Sequence, residues 1–413
     1  MSSFEEQDYP TDNIDIAIIG GGMVGASMAA LLPEHYNILL VESFPLPESD
    51  AAPIYQPSYD ARTTALSFSS YKTFADIGLW PMLEKHVQPI KQVHVSDKGH
   101  WGSTLLDQQQ KPALQALGFV IENAWLGRCL LHFIQQKPNV HFASPAQVEK
   151  LQSLADGARL EIKHKSGEIK HCQAKLAIIA DGAQSKTCQQ LGIHHHLTDY
   201  QHTAIVANIS TSEPHQGIAY ERFTDQGPLA ILPLTSLEQK EHRSALIWTM
   251  ATEEAEKVLA LEDTAFIALL QQRFGHRQGK IINVGQRHSY PLKLSTANEQ
   301  VRQHIVVLGN AAHSLHPVAG QGFNLALRDV AALCQHITEA NTELGDLTTL
   351  EAYAKAQEND QLLTTLFSDV LPGLFTKKHP LIVTGRSLGL LGIELLNPLK
   401  SSFINFATGL RSS

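Results

Sequence analysis

Ile14–Ile19 is a short apolar run, interrupted only by Asp15, that stops at Gly20-Gly21-Gly22-Met23-Val24-Gly25. Residues with helical spacing follow as far as Leu32, Pro33 closes them, and a second apolar run, Ile38–Val41, ends in Glu42. Short apolar runs of this kind predict buried strands, and the change to a 3.6-residue period predicts a helix between them. The glycines then have separable roles. Gly20 permits the tight turn, Gly22 lets the backbone approach a pyrophosphate, and Gly25 lets the helix pack closely on the strand. Glu42, about twenty residues after the first glycine, is placed to accept both hydroxyls of an adenosine ribose. A lone glycine motif would say little, but strand, turn, helix, strand and acid in this order predict a dinucleotide-binding unit.

Further along, Tyr59–Ser67 is expected to open a helix that runs to Ile77, where Gly78 stops it, with Arg62 at its start. Short alternating strands are expected over Val93–Leu106, with turns at Gly99 and Gly102. Trp125–Ile134 reads as a helix carrying Arg128. Apolar segments at 140–143, 159–165 and 175–180 read as strands, and the last ends in Asp181-Gly182, at the carboxyl end of a strand, where open α/β sheets hold ligands. Between Thr203 and Met250 four apolar segments separated by turn residues predict a second domain on an antiparallel sheet, with Arg287–Leu294 as its return strand.

A second glycine segment lies near residue 310. The apolar run Ile305–Leu308 ends at Gly309, a loop carries Asn310, His313, His316 and Pro317, and Gly320-Gln321-Gly322 leads into the helical spacing of Phe323-Asn324-Leu325-Ala326-Leu327. Glycines at a helix start let a flat or anionic group reach unpaired N–H donors at the positive end of the helix dipole. Beyond Thr348, the stripe Leu362, Leu363, Leu366, Phe367, Val370 and Leu371 predicts an amphipathic helix, packed on the body by default or against a partner or lipid surface. The expected fold class is α/β. A Rossmann-like domain (residues 1–75, 103–190 and 285–340) is interleaved with an antiparallel-sheet domain (76–102 and 191–284), and 341–413 form a C-terminal helical region.

Composition limits what these elements can belong to. With 413 residues, 43% hydrophobic and 18% charged, the chain reads as a globular protein with a large core. A net charge of -9 argues against nucleic acid as the partner. Cys129, Cys172, Cys188 and Cys334 lie far apart, so neither a disulfide framework nor a cysteine metal site is expected. His194-His195-His196 point in different directions in any regular backbone and read as a polar loop, so no metal is expected there. The start, MSSFEEQDYP, is too acidic for a leader, and the apolar tail Leu381–Leu396 is broken by Gly385, Arg386, Gly389, Gly392 and Glu394. A cytoplasmic protein is expected, at most peripheral to the inner membrane surface.

Taken together, GGGMVGA with Glu42, Asp60-Ala61-Arg62-Thr63-Thr64-Ala65-Leu66-Ser67, Ala180-Asp181-Gly182, and Gly309 through Asn324 resemble the FAD-dependent aromatic hydroxylases. Within them, VHVSDKGHWG and ERFTDQGPLAILPL are most similar to the ubiquinone-biosynthesis branch, and there to the 2-polyprenyl-6-methoxyphenol hydroxylases. The motifs run in order over nearly the whole chain. One departure is Gly309-Asn310, where many relatives have Gly-Asp; an asparagine can still bond to a ribityl hydroxyl but carries no charge.

The resemblance implies FAD as cofactor, with O2 and a prenylated phenol as substrates. Glu42 would hold the ribose and the backbone of Gly22, Met23 and Val24 the pyrophosphate. Arg62 and Arg128 would lie near phosphate or flavin, with Asp181 and Asn310 among the cofactor contacts. Pro317 and Gly320, Gln321, Gly322, Phe323 and Asn324 would face the flavin ring. Tyr220 and Arg222, on a strand expected to face the flavin, and His316 are the pocket candidates, and no residue is assigned as catalytic base. No second Gly-x-Gly-x-x-Gly follows a strand, so no separate nicotinamide domain is expected; the resemblance implies NAD(P)H as a transiently bound electron donor, within or outside a quinone-biosynthesis protein assembly. The alternatives are an FAD-dependent oxidoreductase of another aromatic substrate and a non-catalytic FAD-bound subunit of such an assembly.

Overall fold

The strand Ile14–Ile19 sends alternate residues into two different cores. Ile16 and Ile18 join one hydrophobic cluster with Ile38, Leu40, Leu176, Ile178 and Val306; Ala17 and Ile19 join the other with Leu39, Val41, Ala177, Ile179 and Val307. A strand buried on both faces has no polar side, which is why these segments read as unbroken apolar runs. In this computed structural model, which describes residues 9–47, 62–99, 102–236, 242–315, 320–376, 389, 391–392 and 394–410, they form the centre of an eight-stranded sheet. Its parallel strands lie in the order Ile305–Val307, Ile169–Ile179, Ile14–Ile19, Ile38–Val41 and Val140–Ala143. The helix Met23–Leu31 packs against both Asn123–Gln135 and Gln321–Glu339. Elements drawn from three distant parts of the chain thus meet on one side of the sheet.

A nine-stranded sheet stands beside it, antiparallel except where Ile218–Thr224 runs parallel to Gln92–Asp97. Its long member His195–Thr211 pairs with His242–Ala251 on one side and His288–Ala297 on the other. Helices Thr252–Leu259 and Asp263–Phe274 cover one face through a core that holds Trp248, Met250, Phe266 and Phe274. Ser103–Asp107 pairs with Gln92–Asp97, so it and His288–Ala297 belong to this sheet rather than to the Rossmann-like segments in which the sequence boundaries put them.

Three local expectations are corrected. Thr63–Ser67 is a strand, paired with Gly118–Glu122, and the helix begins only at Phe68, with the Ser67 hydroxyl as its N-cap accepting from the Ser70 N–H at 3.3 Å. Arg62 therefore precedes a strand, not a helix. His195 and His196 are paired strand residues opposite Ala297 and Thr296, and the His195 ring bonds to the Ala311 carbonyl at 2.8 Å. On the helix Leu347–Thr376, the described stripe residues Leu362, Leu363 and Leu366 are 53%, 58% and 47% exposed, so the body does not cover them. No described helix is long and apolar enough to cross a membrane.

Candidate active site

Gly20 has φ +104°, and a Cβ there would lie 2.5 Å from the Ala180 carbonyl oxygen and 2.9 Å from Asp181 Cα. Only glycine can make this turn, because the strand Ile169–Ile179 delivers Asp181 to its edge. A Cβ on Gly25 would sit 1.9 Å from the Gly20 carbonyl oxygen, so the following helix seats on the turn only without a side chain. Gly22 is the N-cap of that helix, which has neither a side-chain cap nor an acidic residue in its first turn. The helix N-terminus is thus kept clear for an anion that its amides and dipole favour. Buried Glu42 reaches back to the turn, with Oε2 accepting from the Gly21 N–H at 2.6 Å and Oε1 from the Phe44 N–H at 2.9 Å.

The second glycine segment closes on the first. Gly309, at φ +61°, lies so near Val24 that a Cβ on it would fall 2.9 Å from Val24 Cγ2. Beside it Asn310 is exposed. Gly320, at φ +62°, is the N-cap of Gln321–Glu339, again with no side-chain cap and no acid in the first turn. A Cβ on Gly322 would meet no described residue within 4 Å, so the described residues leave space against this backbone.

Asn324 fixes where that helix begins. Its Oδ1 accepts from the Ser67 N–H at 2.8 Å and the Ser70 hydroxyl at 2.7 Å; its Nδ2 donates to the carbonyls of Ala65 at 2.7 Å and Gly320 at 2.8 Å. Phe323 packs toward Phe74, with ring centroids 6.4 Å apart. The side chain of Asn324 is thus committed to the protein and anchors the start of the helix, with Phe323 packed beside it. His313 and Asp329 add a buried link that sequence reasoning missed. Their side chains are 4% and 0% exposed, with Nε2 and Oδ2 3.1 Å apart, and they tie the 309–315 loop to the same helix. Both residues lie in or beside the second glycine segment, but only the fold brings them together.

Asp181 supplies a direct test of fit for a dinucleotide. Its Oδ2 accepts from the Thr187 hydroxyl at 2.9 Å, while Oδ1 is buried and has no hydrogen-bond partner among the described residues. Burial, opposed by bonds from Ser185 and Thr187, pushes its carboxyl above the usual carboxylate range. A buried acceptor left open at the rim of the Gly20 turn suits a hydroxyl donor of a bound nucleotide. FAD fits these residues: an anion site at Gly22, an acid at Glu42, an unmet acceptor at Asp181 and a bare helix terminus at Gly320–Gly322.

The other predicted residues fall less uniformly. The Arg62 guanidinium lies 4.7 Å over the Tyr290 ring, which bridges the strand Thr63–Ser67 to the antiparallel sheet. Arg128 is exposed, 5.7 Å from the Trp125 ring on its own helix, and no bond ties it to the glycine turns among the described residues. His316 and Pro317 lie outside the described residues. Tyr220 is on the face covered by the helices, edge-on to Phe274 at 5.3 Å, and Arg222, two residues along the strand, shares that face. The two pocket candidates therefore lie on the sheet face opposite the one that carries Tyr290 and meets Arg62.

Fold and site define an FAD-binding oxidoreductase in which two glycine-led helix termini lie side by side. The chain belongs to the FAD binding domain family, whose model matches residues 13–360, and within it to the FAD-dependent aromatic hydroxylases. It is 33% identical to ubiquinone hydroxylase UbiL of Rhodospirillum rubrum, over 96% of this chain and 89% of that protein. It is 27% identical to 3-demethoxyubiquinol 3-hydroxylase of Escherichia coli, over 96% and 98%. Its fold matches p-nitrophenol 4-monooxygenase PnpA of Pseudomonas putida with a TM-score of 0.76 over 97% of this chain and 99% of that one, at 14% identity.

Proposed function

We propose that the protein hydroxylates the phenol ring of a polyprenylated ubiquinone precursor, of the 2-polyprenyl-6-methoxyphenol type, with O2 and electrons from NAD(P)H. The observation that supports the reading most is the seating of Gly309 against Val24, with the helices Met23–Leu31 and Gln321–Glu339 packed beside one another. FAD, when bound, supplies the redox chemistry that activates O2. The chain supplies the rest. The amides after Gly22 hold the pyrophosphate with a dipole contribution of about 1 kcal/mol, and Glu42 takes the ribose hydroxyls. Asn310 bonds to a ribityl hydroxyl. The Gly320–Gly322 backbone faces the pyrimidine edge of the flavin, where reduction gathers negative charge. The face of the antiparallel sheet opposite the helices Thr252–Leu259 and Asp263–Phe274 closes the space from water and orients the phenol.

The exposed Leu362, Leu363 and Leu366 suit contact with a lipid surface or a quinone-biosynthesis assembly, for a cytoplasmic enzyme working on a membrane-borne substrate. Oxygen uptake by the FAD-loaded protein tests the function, with NADH or NADPH and 2-methoxy-6-prenylphenol as a short-chain probe. One O2 and one NAD(P)H should be consumed per hydroxylated ring. A non-catalytic assembly subunit would show no substrate-dependent uptake.

A further inference from the structure

Strand parity singles out the carboxylate that lies between Tyr220 and Arg222. On Ile218–Thr224, Tyr220 faces the helix-covered core, and successive side chains alternate, so Glu221 projects from the other face with Ala219 and Phe223. The register extends that face across the sheet. Glu221 stands opposite Ala230 on one side and Val95 on the other; Ala230 stands opposite Ile247, and Ile247 opposite Val206. Glu221 is thus set in an apolar row.

Contacts on either side of that row turn the same face toward the flavin-binding half of the molecule. One step along the strands, Tyr290 lies under Arg62. Two steps the other way, Arg243 pairs with Glu122 at 2.9 Å, at the start of the helix Asn123–Gln135. The row carrying Glu221 spans the interval between these bridges. Helix Leu347–Thr376 packs against both Ile218–Thr224 and Gly227–Pro233, and Glu394 of the C-terminal helical region bonds to Thr104, which shares a row with Glu221 through Val95. Glu221 is therefore walled by protein yet partly accessible, as a group in a crevice is.

No hydrogen bond or ion pair to its carboxylate exists among the described residues, and burial alone pushes its pKa up to about 7. The titratable groups on neighbouring elements are committed elsewhere or set apart. Arg243 is paired with Glu122, Lys400 with Glu394, and Arg328 with Asp360 at 2.7 Å. Asp97 and His288 lie at strand ends, opposite Phe223 and Val206. An enclosed carboxylate without a partner is costly to the fold, and such groups concentrate where a ligand uses them.

We propose that Glu221 is the catalytic base of the hydroxylation, accepting the hydrogen bond of the substrate's ring hydroxyl and taking its proton as oxygen is transferred. This assignment rests on the aromatic-hydroxylase reading of the site. The O–H bond of the phenol breaks, an O–H bond forms on Glu221, and the electron pair left on the phenol oxygen drives the ring toward the oxygen atom it acquires. When the substituted carbon loses its hydrogen as a proton and the ring regains aromaticity, the proton on Glu221 returns to the phenol oxygen. Two electrons come from NAD(P)H, and the second oxygen atom of O2 leaves as water. A base of this kind works ionised, so hydroxylation rises with pH through about 7.

The test compares FAD-loaded wild type, Glu221→Gln and Glu221→Asp with 2-methoxy-6-prenylphenol. Glu221→Gln should keep its flavin and still oxidise NAD(P)H, but release hydrogen peroxide in place of product, with hydroxylation at least about 100-fold lower and its rise near pH 7 gone. Glu221→Asp should restore part of the rate together with the rise. Apart from turnover, wild type should bind the phenol more tightly than its methyl ether, read from the perturbed flavin absorbance, and Glu221→Gln should lose that preference. A Glu221→Gln enzyme with the wild-type pH profile and the wild-type preference for phenol would overturn the assignment alone. A wild type that neither binds nor hydroxylates the phenol would overturn the functional reading and this assignment with it.

Discussion

Gly309 and Val24 stand in direct apposition, with no room for a β-carbon between them. They are far apart in sequence and belong to different glycine segments, so their contact brings the two motifs together. Gly309→Ala should cost about 1–2 kcal/mol for the left-handed backbone alone, more for the clash, and should lower FAD content. Adding Val24→Ala should relieve only the clash. Urea unfolding and the flavin-to-protein absorbance ratio of the single and double mutants check this. Full FAD content in Gly309→Ala would separate the two segments.

Gly322 behaves differently because no described residue stands within 4 Å of its Cβ direction. Gly322→Ala should leave the FAD-free protein as stable as wild type, or up to about 1 kcal/mol more stable from helix propensity, and yet weaken FAD binding. Unfolding of the apoprotein and FAD titration by fluorescence quenching measure the two effects separately. Unchanged affinity would mean that the flavin does not approach this turn.

Asn324 is expected to act through the protein. Asn324→Ala leaves the Ser67 N–H and the Ala65 carbonyl without their side-chain partner, at a cost of about 3 kcal/mol. Chemical denaturation of the FAD-free protein reads this loss. An unaltered midpoint would show that the four bonds do not hold the helix start.

Asp181 makes a pH-dependent prediction. Its folded-state pKa lies above the reference value of 3.8, chiefly through burial, so its contribution to stability is greatest below that value and is lost as pH rises through the folded pKa. Asp181→Asn apoprotein should therefore gain stability relative to wild type as pH rises from acid to neutral, while FAD affinity falls. Melting temperatures across that range test the sign. A variant that loses stability relative to wild type as pH rises toward neutral would contradict it.

Both glycine turns were legible because periodicity and φ requirements are local. Ile14–Ile19 and Ile305–Leu308 announce strands, and the glycines after each strand mark a turn that leads into a helix. Thr63–Ser67 was misread because its strand state depends on pairing with Gly118–Glu122, far along the chain, and a short run beside a true helix start carries no such information. The sequence puts Tyr220 and Arg222 on a strand, and the structure turns both toward the helix-covered core. Alternation separates them from Glu221, but which face meets the flavin depends on the helices Thr252–Leu259 and Asp263–Phe274, which cover the Tyr220 side. The three histidines illustrate the same limit, since the strand that begins at His195 is held by Ala297 and Thr296, residues with no local relation to it.

A crystal structure of the FAD complex tests the joint site most directly. The pyrophosphate is expected against the Gly22–Val24 amides, the ribose hydroxyls at Glu42, and the pyrimidine edge of the isoalloxazine at the Gly320–Gly322 backbone. An FAD whose ring lies away from Gly320, or two glycine turns that open into separate cavities once it is bound, would contradict the account.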